Sequence, residues 1–196
     1  MLRLTSILIV FTALLVCTAM SSAQDFDKGL QAAARGDHAD ALREWRPLAE
    51  QGHARAQFSL GTLYGQGKGV PQDYAEALRW YRLAADQGNT WAQYNLGMMN
   101  QRGEGIPRNN PEAARWFRLA AEHGLAQAQV RLGLSYFLGE GVPQDYVLAH
   151  KWLNLAAGQG HEGGVSGRYV VETEMTRDQI AEAQKLAREW LEARSK

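Results

Sequence analysis

Gly65-Gln66-Gly67-Lys68-Gly69 is the segment whose residue types come nearest to recognisable chemistry, because a glycine-rich loop carrying a lysine can wrap a phosphate with its backbone N–H groups. The loop returns as Gly103-Glu104-Gly105 and Gly139-Glu140-Gly141, with a carboxylate where Lys68 stands, and a carboxylate repels phosphate. No strand pattern precedes the loop and no Lys-Ser/Thr pair opens the next helix, so the nucleotide-binding reading fails. The glycines are expected instead to supply positive backbone dihedrals in a tight turn between helices.

Other reactive side chains are dispersed. His38, His53, His123, His150 and His161 form no His-x-x-x-His or mixed carboxylate cluster at ligand spacing; no metal site is expected, and they read as helix-end residues. Ser59, Ser135, Ser166 and Ser195 lie in no Gly-x-Ser-x-Gly or Ser-x-x-Lys context, so the expectation is no nucleophile, no catalytic residue and no cofactor. The acids Glu76, Glu112 and Glu44 stand near Arg79, Arg115 and Arg43, which fits a solvated helix surface with modest local pairing.

The elements that hold these residues repeat. Gly52, Gly88, Gly124 and Gly160 recur every 36 residues, Gly61, Gly97 and Gly133 keep the same spacing, and so do Pro71, Pro107 and Pro143. Such a period marks stacked units, each with too small an apolar face to fold alone, which leave one long surface free for a partner. Ala56-Gln57-Phe58-Ser59-Leu60-Gly61 matches Ala92-Gln93-Tyr94-Asn95-Leu96-Gly97 and Ala128-Gln129-Val130-Arg131-Leu132-Gly133, the first helix of each unit, with Ala56, Leu60 and Tyr64 on one stripe. The second helix runs from Tyr74 to Ala85 and aligns with 110–121 and 146–157; Ala77, Tyr81, Ala84 and Ala85 form its packing face.

The ends are atypical. Phe26 to Gly52 reads as a helix pair with a shorter turn, Ala34-Arg35-Gly36-Asp37, and Trp45 falls where later units carry Tyr81, Phe117 and Leu153. Glu162 to Glu172 occupies a first-helix slot, weakened as a helix by Gly163, Gly164 and Gly167. A last helix begins at Thr176, which forms a capping-box signature with Gln179; Ile180, Ala183, Ala187, Trp190 and Leu191 make its apolar stripe, expected to seal the final unit.

Before all this stands Met1-Leu2-Arg3, an apolar run from Leu4 to Met20, and Ser21-Ser22-Ala23 with small residues suited to signal peptidase. Residues 1–23 are expected to be a removable signal peptide. Cys17, the only cysteine, follows Val16, which disfavours lipidation, and the mature chain would hold together by packing without disulfides. The 196 residues carry no formal net charge, which gives no reason to expect nucleic acid or an anionic membrane as partner.

The A-x-x-L-G-x-x-Y block, the G-x-G-V-P turn, the A-x-x-W-x-x-x-A-A helix and the closing glycine resemble the Sel-one-like repeat, a relative of the tetratricopeptide repeat. The resemblance covers about residues 37–160 and implies an all-α fold, a right-handed α-solenoid superhelix of antiparallel helix pairs that binds other proteins. It divides the chain into a signal peptide (1–23) and one repeat domain (24–196): a helix pair (24–52), full repeats (53–88, 89–124, 125–160), then a degenerate repeat with a capping helix (161–196).

By the same resemblance, an inner surface is lined by first-helix positions flanking the Leu-Gly pair: Arg55, Phe58 and Thr62; Trp91, Tyr94 and Met98; Gln127, Val130 and Leu134. Arg102 adds a contact for a carboxylate. Trp80, Trp116 and Trp152 share one slot and read as core, whereas the Trp91 slot holds Arg55 and Gln127 in the neighbouring units and is freer to meet a ligand. The leading expectation is a periplasmic or secreted adaptor, monomeric by default, that binds another exported or envelope protein. Two alternatives stand beside it. Some exported, cysteine-rich relatives are associated with β-lactam binding or weak hydrolysis, but they carry cysteine pairs that this mature chain lacks; a peptidoglycan-fragment module using Trp91 and Tyr94 is the other.

Overall fold

The computed structural model describes residues 26–195, and the segment expected to be a signal peptide, with Cys17, lies outside the described residues. Among the described residues there are ten helices and no strand: α1 (26–34), α2 (His38–Glu50), α3 (Ala54–Gln66), α4 (Tyr74–Asp86), α5 (Thr90–Arg102), α6 (Asn110–Glu122), α7 (Ala126–Leu138), α8 (Tyr146–Gly158), α9 (Glu162–Glu172) and α10 (Arg177–Arg194). They form two compact units, one ending at Gln87 and one beginning at Gly88. Within each, consecutive helices from α2 to α4 and from α5 to α9 pack on one another.

Local chemistry sets the helix ends. Asp73, Asn109 and Asp145 accept from backbone N–H groups at the starts of α4, α6 and α8. Gly67 ends α3 in the left-handed conformation, with φ 64°, and the Lys68 N–H donates to the Leu63 carbonyl at 3.0 Å, a Schellman arrangement. Gly69, also left-handed, lies so close to α2 that a β-carbon there would sit 2.5 Å from the His38 carbonyl carbon. Gly67 and Gly69 of the phosphate-loop look-alike are therefore turn residues, Gly69 pressed against α2, whereas Gly65 lies within α3 and has no positive φ, contrary to the expectation for the whole set.

Each helix pair closes over a glycine. A β-carbon at Gly61 would fall 2.6 Å from the Tyr81 ring and one at Gly133 2.7 Å from Leu153 Cγ, while Gly97 lies under Phe117. Gly29 lies under Trp45 in the same way, which makes α1 and α2 a further copy whose shorter turn takes Gly29 out of phase. The glutamine of the Ala-Gln block adds a polar tie. Buried Gln57 donates to the Ala49 carbonyl at 3.0 Å and accepts from Gln87 at 2.7 Å, so one side chain joins the ends of α2 and α4 through α3.

The last helices differ from the repeats before them. α9 is a regular helix despite its glycines because they bring it close to α8: a β-carbon at Gly164 would sit 2.6 Å from the Ala157 nitrogen, and one at Gly167 2.8 Å from Leu153 Cδ2. α10 carries the expected capping box but lies against α8 instead of pairing with α9. Two features of α9 explain this: Tyr169 stands in the slot that holds Gly133 one repeat earlier, and Val165 replaces the glutamine of the tie. A side chain in that slot denies a partner helix the close approach that Gly133 permits, and Tyr169 is itself exposed. On α10, Ala183 and Ala187 are buried, whereas Leu191 is exposed.

The tryptophan slot is only partly core. Trp80 and Trp152 are buried, the latter edge-on to Trp190 with ring centroids 6.0 Å apart. Trp116 is half-buried, with the Arg115 guanidinium 4.4 Å from its ring centroid, which corrects the expectation of uniform burial.

Candidate functional site

In the first unit, α3 carries three of the expected surface residues. Arg55 is exposed and lies 4.4 Å from the centroid of the Phe26 ring, a cation–π contact that steadies its guanidinium. Phe58 is half-buried against Tyr81. Thr62 Oγ1 donates to the Phe58 carbonyl at 3.1 Å and accepts from the Tyr81 hydroxyl at 3.3 Å. Phe58 and Thr62 also line a cavity of about 200 Å³ with Trp45, Ser59, Leu63 and Lys68.

In the second unit, Trp91 is 44% exposed and meets Tyr94 edge-on with centroids 6.1 Å apart. Tyr94 is half-buried and tilts against the buried Phe117 ring at 5.9 Å, so it is anchored while Trp91 projects. Arg102 is exposed and pairs with Glu104 of its own turn at 3.5 Å. Gln127 and Leu134 are half-buried. Met98 and Val130 belong to the core, because Met98 packs with Phe117 and Val130 is covered by the close approach of α9; neither adds to the open surface as expected.

His150 is a correction as well. It is not at a helix end but within α8, fully buried, with Nε2 2.9 Å from Glu172 Oε1. Arg168 Nε lies 3.5 Å from the same carboxylate oxygen, and an Arg168 Nη donates to Asn154 at 3.0 Å. The signal was present in the repeat register: the His150 slot holds Leu42, Leu78 and Ala114, the Arg168 slot holds Leu60, Leu96 and Leu132, and the Glu172 slot holds Tyr64, Asn100 and Tyr136. Where Arg118 donates to Tyr136 at 2.9 Å, the final pair of helices has an ionic cluster. Arg168 is held by Glu172 and Asn154 and His150 Nε2 by Glu172, which fits a tie between α8 and α9, while His150 Nδ1 and Arg168 Nε make no hydrogen bond among the described residues.

A second cavity of about 400 Å³ lies between the end of α8 and α10, lined by Asn154, Leu155, Gln159, Trp190, Leu191 and Arg194. Arg194 is already engaged, donating to the Glu122 carbonyl at the end of α6 and lying 4.6 Å from the Trp190 ring centroid. Nearby, the Lys151 ammonium sits 4.6 Å from the Trp152 centroid, and burial lowers its pKa below the ordinary lysine value against the opposing pull of Glu122 and Glu189. Among the described residues, no group of three or more histidines, cysteines or acids stands where it could hold a metal ion, and no helix is long and apolar enough to cross a membrane.

Comparison with known families decides the class: the Sel1 repeat model matches residues 54–89, 92–125 and 126–161. The chain belongs to the Sel1 repeat family. Its fold is accordingly an all-α solenoid of Sel1 repeats, and Sel1 repeat proteins are generally protein–protein interaction modules, typically non-enzymatic scaffolds. Solved structures agree. The chain is 34% identical to a Sel1 repeat protein from Oxalobacter formigenes, with a TM-score of 0.67 over 73% of this chain and 60% of that one. It is 30% identical to c5321, a protective antigen with an SLR fold present in uropathogenic Escherichia coli strains, with a TM-score of 0.62 over 87% of this chain and 45% of that one. This Sel1 repeat chain thus spans about half the length of those relatives. No curated protein matches its sequence.

Proposed function

We propose that this Sel1 repeat chain is an exported, non-enzymatic adaptor, periplasmic or secreted, that binds another exported or envelope protein through the open positions of its first helices. The observation that carries the reading is Trp91: a large aromatic on a regular helix, 44% exposed and held edge-on by an anchored tyrosine. Exposed tryptophan loses apolar contact that a partner restores, and tryptophan, tyrosine and arginine dominate the energetics of protein interfaces. Trp91, Tyr94 and Arg102 supply that combination on α5, and Arg55 and Phe58 supply a smaller version on α3. Export rests on residues 1–23, whose basic start, apolar run and small-residue end fit a removable signal.

The test is affinity capture from envelope extract with residues 24–196, run beside Trp91→Ala and an Arg55→Glu/Arg102→Glu variant. A protein retained by the native chain and lost with Trp91→Ala supports the reading, and retention unaffected by every substitution argues against it. Amino-terminal sequencing of the protein recovered from cells tests export, with Gln24 expected as the first residue.

A further inference from the structure

The cavity in the first unit combines three features that the corresponding positions of later repeats lack. Its walls are apolar, made by Trp45, Phe58 and Leu63, and its volume of about 200 Å³ falls below the roughly 300–1,000 Å³ typical of small-molecule sites. Space of that size suits a single side chain. The slot that Thr62 occupies here holds Met98 one repeat later, and Met98 is buried, so the later position is filled by a longer side chain.

The second feature is charge. Lys68 lines the cavity, and the matching turn positions are Glu104 and Glu140, which pair with Arg102 at 3.5 Å and Arg108 at 4.0 Å. Lys68 is exposed and makes no ion pair among the described residues. The nearby acids Asp37 and Asp40 are taken by Arg35 and Arg43, both at 3.1 Å, and Asp73 caps α4. The third feature is His38, which lines the same cavity and whose buried Nδ1 makes no hydrogen bond among the described residues. An apolar hole with a lone cation beside it and an unused polar nitrogen in its wall is complementary to an apolar side chain next to a carboxylate.

We propose that this cavity is an anchor site for an acidic peptide segment of the partner, taking one aliphatic or aromatic side chain into the hole while Lys68 holds an adjacent Asp or Glu. The inference rests on the adaptor reading and adds the partner's chemistry. It also accounts for the sign change at Lys68, since an acid there would repel such a segment. The lysine ammonium supplies a charge-assisted hydrogen bond, and the hole supplies the desolvated contact that makes the pairing stronger than a surface ion pair.

The experiment is selection of random peptides displayed on phage against the full chain, followed by fluorescence anisotropy with the enriched peptides. Enriched sequences are expected to carry an aliphatic or aromatic residue within two positions of Asp or Glu. Lys68→Glu, which installs the residue the other turns use, is expected to weaken binding about tenfold, the scale of one charge-assisted hydrogen bond. Ser59→Leu, which fills the hole from a half-buried position on α3, is expected to weaken it at least as much, with its fold checked by circular dichroism. Enrichment without acids, no enrichment, or binding that survives both substitutions overturns the proposal. Peptides lost with Trp91→Ala but indifferent to Lys68→Glu also overturn it while leaving the adaptor reading intact.

Discussion

Gln159 donates a side-chain N–H to Gln129 Oε1 at 2.9 Å, and Gln129, with no exposed surface, donates in turn to the Ala121 carbonyl at 3.3 Å. The pair repeats what Gln87 and Gln57 do in the first unit, so Gln57 and Gln129 are polar rivets, each through three successive helices. Replacing Gln129 with Leu leaves the Ala121 carbonyl without this donor and Gln159 without its acceptor. The expected loss is about 1–3 kcal/mol in chemical denaturation, the cost of stranding buried polar groups. A loss under about 0.5 kcal/mol would remove the rivet from the account.

Two glycines one turn apart on α3 should respond to alanine with opposite signs. A β-carbon at Gly65 would meet Ala77 Cβ at 3.5 Å, an ordinary contact, so Gly65→Ala should stabilise by about 0.4–1 kcal/mol through reduced freedom of the unfolded chain. Gly61 lies under the Tyr81 ring, and there the overlap, about 1–3 kcal/mol, outweighs the gain in helix propensity. Thermal melts of the two variants should shift in opposite directions.

Much of this was readable beforehand, because a repeat prints its packing several times. The helix pairs, the turns and the Trp45, Tyr81, Phe117 and Leu153 slot all follow from in-phase residues that do the same job in each copy. What escaped was where one copy departs from the others. His150, Arg168 and Glu172 are ordinary polar residues by type, and only their slots reveal that they replace core positions. The glycines of α9 lower helix propensity, yet the close approach they permit to α8 outweighs that cost. Candidate surface positions were harder still: Met98 and Val130 occupy the register of an open face but are covered by neighbouring helices, which no spacing within one helix discloses.

The tryptophans should separate by burial. Trp152→Ala is expected to cost about 3–5 kcal/mol, since the ring is buried and edge-on to Trp190. Trp116→Ala should cost clearly less, because that ring is half-buried under Arg115. Equal losses in urea titrations would contradict the assigned difference in packing.

Lys151 gives the structure a pH signature. Burial lowers its folded-state pKa, so between that value and the ordinary lysine value the unfolded chain binds more protons and stability rises with pH. The cost of the buried charge is fully present below the folded-state pKa and is relieved as pH climbs toward the unfolded value. Lys151→Met should therefore be more stable than the native chain at pH 7, with the gap narrowing at alkaline pH. A gap that widens with pH would mean that the attraction of Glu122 and Glu189 outweighs desolvation.

The adaptor reading stands on Trp91 being surface held ready for a partner, not a strut of the fold, and one variant measured in two ways tests this most directly. Trp91→Ala should leave the unfolding free energy within about 0.5 kcal/mol of the native chain, as for a surface position, while abolishing retention of the partner captured from envelope extract. A stability loss of several kcal/mol, or undiminished retention by a folded Trp91→Ala chain, would contradict it.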